Sequence, residues 1–256
     1  MKLFIPGFDI NFNFLKVITM NHCLLMMGGV GSRLGADRPK QYVEVDNKPV
    51  FIYILKKLVK MDCIDKIVIV SNAYWIEFVH QSIKEHLKHD TDKIIVTEGG
   101  ATRSESVKNG LTALEKYAED DDVVLIHDTT HPYVDEKGTV AVIEAVKEYG
   151  GATLGACQYD TCYRMNERRE IEEVIPRQFL VSGASPEAFK FRKIYDIYRN
   201  STREELESMT SAGAIALAHN LKMVVVPADV LNLKITYQND MEIFKLLVHN
   251  YFFNEN

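Results

Sequence analysis

With 256 residues, 46% apolar and 26% charged, the chain has the composition of a folded globular protein, which excludes a disordered, collagenous or coiled-coil polypeptide. Its 30 basic and 36 acidic side chains give a formal charge of −6, so it lacks the bulk basic surface that a phosphate backbone requires, and no nucleic-acid partner is expected. The length admits one or two domains.

In chain order, the apolar start of the sequence is broken by Pro6, Asp9 and Asn11 and does not read as a signal peptide. No uncharged apolar run approaches the ~18 residues of a membrane span, so no membrane partner is expected and a cytoplasmic location is the default. The stretch from Cys23 to Met27 reads as a buried strand running into a glycine loop. A helix is predicted from Val50 to Met61, a strand from Lys66 to Ser71, a helix from about Tyr74 to Leu87 and a strand from Lys93 to Thr97. The alternation continues with a helix from Ser104 to Tyr117, a strand from Asp122 to Asp128 and a helix from Gly138 to Tyr149. Such alternation predicts βαβ units and a parallel sheet covered on both faces.

After Gly151 the pattern changes. The segment from Cys157 to Ile175 is rich in charge and reads as a polar hairpin leaving the core. Ser185-Pro186-Glu187-Ala188-Phe189 is predicted to open a helix, Lys222 to Pro227 to form a strand and Asp240 to Asn250 a closing helix. Cys23, Cys63, Cys157 and Cys162 show neither a Cys-x-x-Cys pair nor zinc-site spacing and are read as reduced and structural.

Gly28-Gly29-Val30-Gly31-Ser32-Arg33-Leu34-Gly35, followed by Arg38-Pro39-Lys40-Gln41, carries the strongest chemical signal. Glycines after a strand let backbone N–H groups approach a phosphate, and Arg33 and Lys40 add full charges at the same mouth. A dinucleotide site would need a third glycine and an acidic residue at the end of the second strand, where Ser71-Asn72 stands instead. The P-loop pattern does not occur. Two more loops follow predicted strands, where open α/β sheets hold ligands. In Gly99-Gly100-Ala101-Thr102-Arg103-Ser104-Glu105-Ser106, the glycines and Ser106 could hold a base, or the segment could be an N-capped helix start. In His127-Asp128-Thr129-Thr130-His131-Pro132, Asp128 suits a Mg²⁺ ion beside a triphosphate, or a turn.

Taken together, the glycine loop with Pro39-Lys40-Gln41, the Gly99 to Val107 segment, His127-Asp128 to Pro132, Asp160-Thr161 and Asn232-Leu233-Lys234 resemble the cytidylyltransferases acting on methylerythritol phosphate and ribitol phosphate. The match runs in order from about Met20 to Leu247. The resemblance implies an α/β fold, a single Rossmann-like three-layer domain with a mostly parallel central sheet and a projecting β-arm used in dimerisation. Residues 1–19 then read as an N-terminal extension and 20–256 as the cytidylyltransferase domain, with the arm at about 157–177.

The same resemblance implies that Arg33, Lys40 and Lys234 stabilise the triphosphate as the acceptor phosphate attacks CTP, with Mg²⁺ at Asp128. Met26, Met27, Gly28, Gly29, Gly31, Ser32, Gly99, Gly100, Arg103, Ser106 and Thr129 match nucleotide-binding positions. Thr161, Arg177, Ser185, Thr210 and His131 fall at acceptor-binding positions, the first two acting in the partner's site of a homodimer. Departures cluster on the acceptor side: His131 stands in place of an arginine, Ser211 in place of an acid and Leu231 where some relatives have an aspartate. The charged stretch Thr202 to Ser208 is more similar to the ribitol-phosphate branch. The expected reaction is CMP transfer from CTP to D-ribitol 5-phosphate, giving CDP-ribitol and pyrophosphate for surface polymers. The alternatives are 2-C-methyl-D-erythritol 4-phosphate as acceptor, for isoprenoid synthesis, and a non-catalytic nucleotide-binding relative.

Overall fold

The structure, a computed structural model, describes residues 19–28, 38–89, 91–228 and 231–250. The elements are β1 (Asn21–Met27), β2 (Glu44–Val45), β3 (Lys48–Pro49), α1 (Val50–Lys60), β4 (Lys66–Ser71), α2 (Ile76–His86) and β5 (Ile94–Glu98). They continue with α3 (Arg103–Leu114), β6 (Val123–Asp128), α4 (Glu136–Tyr149), β7 (Gly151–Cys157), β8 (Cys162–Met165), β9 (Ile171–Ile175) and β10 (Val181–Lys190). The chain closes with α5 (Phe191–Asn200), α6 (Arg203–Glu207), α7 (Ala212–Ala218), β11 (Val224–Pro227) and α8 (Gln238–Asn250).

A seven-stranded sheet in the order β11-β7-β10-β6-β1-β4-β5 forms the middle layer. Its neighbours are parallel except at β10, which runs antiparallel to both β6 and β7. The central strands are continuously apolar through their middles because both faces are covered, with polar residues confined to their ends. Alternate side chains divide between the two faces: Cys23, Leu25, Ile67, Ile69, Val123 and Leu125 pack with α1, α2 and α4. Leu24, Val68, Val70, Val124 and Ile126 pack with α3, α5 and α7 on the other side. A smaller cluster joins Val45, Val50 and Tyr53 to Ile235 and the α8 residues Met241, Phe244 and Val248. The three layers thus follow from period-2 strands between amphipathic helices.

The predicted strands and helices through Tyr149 are present with shifts of one to three residues at their ends, the largest at α3, which stops at Leu114 rather than Tyr117. One prediction fails. Ser185 and Pro186 do not open a helix; they lie inside β10, in the break between Ala184 and Glu187, with paired β10 residues before and after them. The Ser-Pro pair imitates a cap followed by the first helical residue, but Pro186 sits at the register shift between Ala184 and Glu187, a bulge where no ladder N–H is required. The helix starts at Phe191 instead.

The expected polar hairpin is the antiparallel pair β8–β9. Its tip is held by Asn166, whose Oδ1 accepts from the backbone N–H groups of Arg168 and Glu170, and Arg169 takes the left-handed conformation at φ 64°. Charge does not cover it fully: Tyr163, Met165, Ile171 and Val174 are all exposed.

Candidate active site

The sheet register assembles the site. Met27 of β1 lies opposite Ser71 of β4, Ser71 opposite Glu98 of β5, and Met26 opposite Asp128 of β6. The loops after these strands therefore share one edge, where parallel sheets present ligands at the point at which the strand order reverses. The Met26 carbonyl accepts from the Thr129 hydroxyl at 2.8 Å and the Met27 carbonyl from Gln41 Nε2 at 2.6 Å. Both methionine side chains are buried in the core, so they do not stand over the loop. Gln41 sits in the Pro-Lys-Gln motif, and its tie to β1 explains that motif structurally.

Around Ser106 the backbone closes tightly. The Ser106 hydroxyl donates to the Thr102 carbonyl at 2.8 Å and accepts from Gly100 N–H at 3.0 Å. A Cβ at Gly28 or Gly99 would stand 3.0 or 2.8 Å from Ser106 Oγ, and one at Gly100 only 2.2 Å from Glu105 Cβ. Glycine is needed at these positions because the loops after β1 and β5 both close on the start of α3, at Ser106 and its neighbour Glu105. Thr102 caps α3 by accepting from Glu105 N–H at 3.2 Å while Glu105 accepts from Ala101 N–H at 2.8 Å. The helix-start reading and the binding-loop reading of this segment are therefore compatible.

Arg103 opens α3 and reaches Asp128 at the end of β6, with Nη2 3.1 and 3.2 Å from the two carboxylate oxygens. The same nitrogen is 3.9 Å from Glu187 of β10. Burial weakens the Arg103 charge, but Asp128 and Glu187 more than offset it and leave the guanidinium more firmly protonated. Burial pushes the Glu187 carboxyl up, against the pull of Arg103 and of Gly213 N–H. Ser185 accepts from Asp128 N–H at 3.3 Å, so this expected acceptor residue also orients the carboxylate strand end. Glu187 was not expected as a site residue; its place after Ser-Pro gave no hint once that segment was read as helix.

The acceptor-side residues surround the loop after β6. His127 Nε2 donates to the His131 carbonyl at 2.9 Å, and His131 N–H returns to the Asp128 carbonyl at 2.9 Å. Burial, with His127 and Lys234 adding to it, holds the His131 ring neutral down to about 4. Beside it lies a small open cleft bordered by His131, Tyr133, Asp135, Ser185, Leu231 and Asn232. Lys40 is half-buried rather than the exposed cation a sequence suggests, and its Nζ donates to the Ile235 carbonyl at 2.6 Å. Ile235 N–H in turn donates to the Thr130 carbonyl at 2.8 Å. The segment carrying Lys234, itself exposed, is thereby stitched between the Lys40 turn and the loop after β6. This stretch is loop, not edge strand.

Thr161 and Arg177 are on the arm, exposed, with Arg177 donating to the Tyr159 carbonyl. Among the described residues no hydrogen bond or ion pair links either to Asp128 or Arg103. Thr210 is exposed just before Ser211, whose hydroxyl caps α7 by accepting from Ala214 N–H at 3.0 Å. Gly29, Gly31, Ser32 and Arg33 lie outside the described residues. The cysteines are free, but only Cys23 is buried, with its thiol pushed up to about 12; Cys157 is exposed. Among the described residues no group of three or more His, Cys, Asp or Glu could hold a metal, and no helix is long and apolar enough to cross a membrane.

The family model for 2-C-methyl-D-erythritol 4-phosphate cytidylyltransferase matches residues 22–250. The chain is 34% identical over 231 residues to 2-C-methyl-D-erythritol 4-phosphate cytidylyltransferase of Thermotoga neapolitana, covering 89% of this chain and 96% of that protein. It is also 30% identical over 230 residues to ribitol-5-phosphate cytidylyltransferase of Streptococcus agalactiae, covering 89% and 95%. The crystal structure of 4-diphosphocytidyl-2C-methyl-D-erythritol synthase from Anaerococcus prevotii superposes with a TM-score of 0.75 at 22% identity, covering 90% and 96%, and confirms the fold. The chain accordingly belongs to the 2-C-methyl-D-erythritol 4-phosphate cytidylyltransferase family and is a CTP-dependent nucleotidyltransferase.

Proposed function

We propose that this enzyme transfers CMP from CTP to D-ribitol 5-phosphate, releasing pyrophosphate. The observation that carries the catalytic reading is the convergence of the Ser106 glycine pocket and the Arg103–Asp128 pair on one strand edge. The pocket receives the base, with Gly99, Gly100 and Ser106 against it. An oxygen of the acceptor phosphate attacks the α-phosphorus of CTP, the bond from that phosphorus to the bridging oxygen breaks, and pyrophosphate leaves. Lys40, Lys234 and Arg33 stabilise the charge that gathers on the phosphates, which is most of what phosphoryl-type transfer asks of a protein. The tether of Lys40 to Ile235 sets the Lys40 turn against the Lys234 segment before substrate arrives.

Asp128 suits a Mg²⁺ ion: it is a hard, partly exposed carboxylate at a strand end, and with no metal-holding cluster of acids among the described residues the remaining ligands would be phosphate oxygens and water, as this ion prefers. Bound there, Mg²⁺ would supply charge neutralisation of the triphosphate. Asp128 and Thr129 hold that position through the ties to Ser185 and Met26. The exposed apolar arm supports a homodimer in which Thr161 and Arg177 reach the neighbouring site.

The ribitol reading is supported by the charged segment that forms α6, capped by Thr202 and seated on α3 through Ser104 Oγ to the Leu206 carbonyl at 2.8 Å. A second reading, 2-C-methyl-D-erythritol 4-phosphate as acceptor, is supported by the name of the matching family and of the Thermotoga relative. The two are separated by kcat/KM for each acceptor with CTP under the same conditions. A value at least tenfold higher for ribitol 5-phosphate is expected, and the reverse order would replace the first reading with the second.

A further inference from the structure

Arg103 faces two carboxylates. Asp128 holds it with both oxygens, at 3.1 and 3.2 Å, while Glu187 waits 3.9 Å from the same nitrogen. Glu187 is itself fixed: Oε1 accepts from Gly213 N–H at 2.9 Å and Oε2 from Ala212 N–H at 3.2 Å. The sequence makes room for it, since a Cβ at Gly213 would stand 2.6 Å from Oε1. The Tyr198 hydroxyl, buried and without a hydrogen-bond partner among the described residues, borders these charges and offers one more acceptor.

A bidentate arginine occupies the oxygens that a divalent cation on Asp128 would use. Freeing them would leave a partly buried guanidinium without its carboxylate, which is unfavourable unless another anion receives it. Two carboxylates against one guanidinium leave the cluster one negative charge in excess, which favours the entry of a cation.

We propose that Glu187 is a positioning residue that receives Arg103 when Asp128 takes a divalent cation, so that β10 sets the metal affinity of a site it does not itself ligate. This rests on the reading of Asp128 as the metal carboxylate. Arg103 closes about 1 Å toward Glu187, from 3.9 Å to hydrogen-bond distance, and α7 holds the receiving carboxylate in place.

The test is Mn²⁺ binding, read by water proton relaxation in the presence of CTP and no acceptor, for the wild-type chain, Glu187→Gln, Asp128→Asn, Arg103→Ala and the Arg103→Ala/Glu187→Gln double variant. Thermal transitions verify folding. Glu187→Gln is expected to raise the apparent Mn²⁺ dissociation constant about tenfold, within the usual range of site coupling. In the Arg103→Ala background the same change should shift it less than twofold, because there is no guanidinium to receive. Glu187→Asp, which keeps the charge and shortens its reach, should fall between, and carries the same cycle if the glutamine variant does not fold. Loss of binding in Asp128→Asn with no change in the Glu187 variant overturns the proposal and leaves the metal reading standing. No change in either overturns both. An equal effect of the Glu187 change with and without Arg103 would show a direct charge effect and overturns the proposal as stated.

Discussion

At the residue scale, His131 shows how burial converts a substitution into a property. The ring keeps its neutral form down to about 4, whereas an unfolded chain takes up that proton near 6.5. The unfolded state thus binds the proton first, and stability is retained above about 6.5 and lost as pH falls toward 4, by about 3 kcal/mol in all. His22 and His127, also depressed by burial, act in the same direction. Denaturant unfolding at pH 7 and pH 5 should show a clear loss of stability at the lower pH. His131→Asn should remove part of that loss, and an unchanged difference would exclude His131 as a contributor. The sequence identified this residue as a departure but not its neutrality, because that depends on the packing of His127, Lys234 and the loop after β6 around it.

At the element scale, α3 connects the site to the core. Ser106 faces the loops, Ser104 donates to the Leu206 carbonyl of α6, and Gly110 lies against β1 and β4, where a Cβ would meet Val70 Cγ2 at 2.8 Å and Leu24 Cδ1 at 3.2 Å. Gly110→Ala gains helix propensity but overpacks this contact, so a net loss of roughly 1–3 kcal/mol is expected. It would appear as a lower denaturant midpoint at unchanged slope; a midpoint equal to or above wild type would show that the helix can shift outward without strain. Strands with continuous apolar runs, such as Lys66–Ser71 and Val123–Asp128, were legible in the sequence because both sheet faces are covered. β7 and β10 were not. Gly151–Cys157 is built of small residues that give no clear pattern, and Gly155 is small because Val225 Cγ1 would stand 2.6 Å from a Cβ there. β10 carries Ser-Pro at a bulge, which imitates a helix start.

At the scale of the whole molecule, an acidic chain of charge −6 is expected to bind a polyanion because its cations are placed locally. The Lys40 turn and the Lys234 segment are tied together through the Ile235 carbonyl, and Arg103 belongs to the strand edge at Asp128. This much was legible from motif order alone, whereas the pairing of Arg103 with Asp128 and Glu187 needed the sheet register. The arm is the remaining large-scale feature. If the arm forms the proposed homodimer, replacing residues 161–176 by a short turn should leave a monomer in sedimentation experiments where the full chain is a dimer, and abolish turnover, since Thr161 is removed and Arg177 no longer reaches a partner. A shortened chain that stays dimeric and active would contradict the arm's role.

The central claim is that the strand edge around Asp128 carries CMP transfer. It is tested most directly by following pyrophosphate release from CTP with ribitol 5-phosphate and 2-C-methyl-D-erythritol 4-phosphate, for the wild-type chain beside Asp128→Asn. The expected result is turnover by the wild-type chain with at least one acceptor and a loss of about 10²-fold or more in the variant at a similar thermal transition. No pyrophosphate with either acceptor, or equal rates in the two proteins, would contradict it.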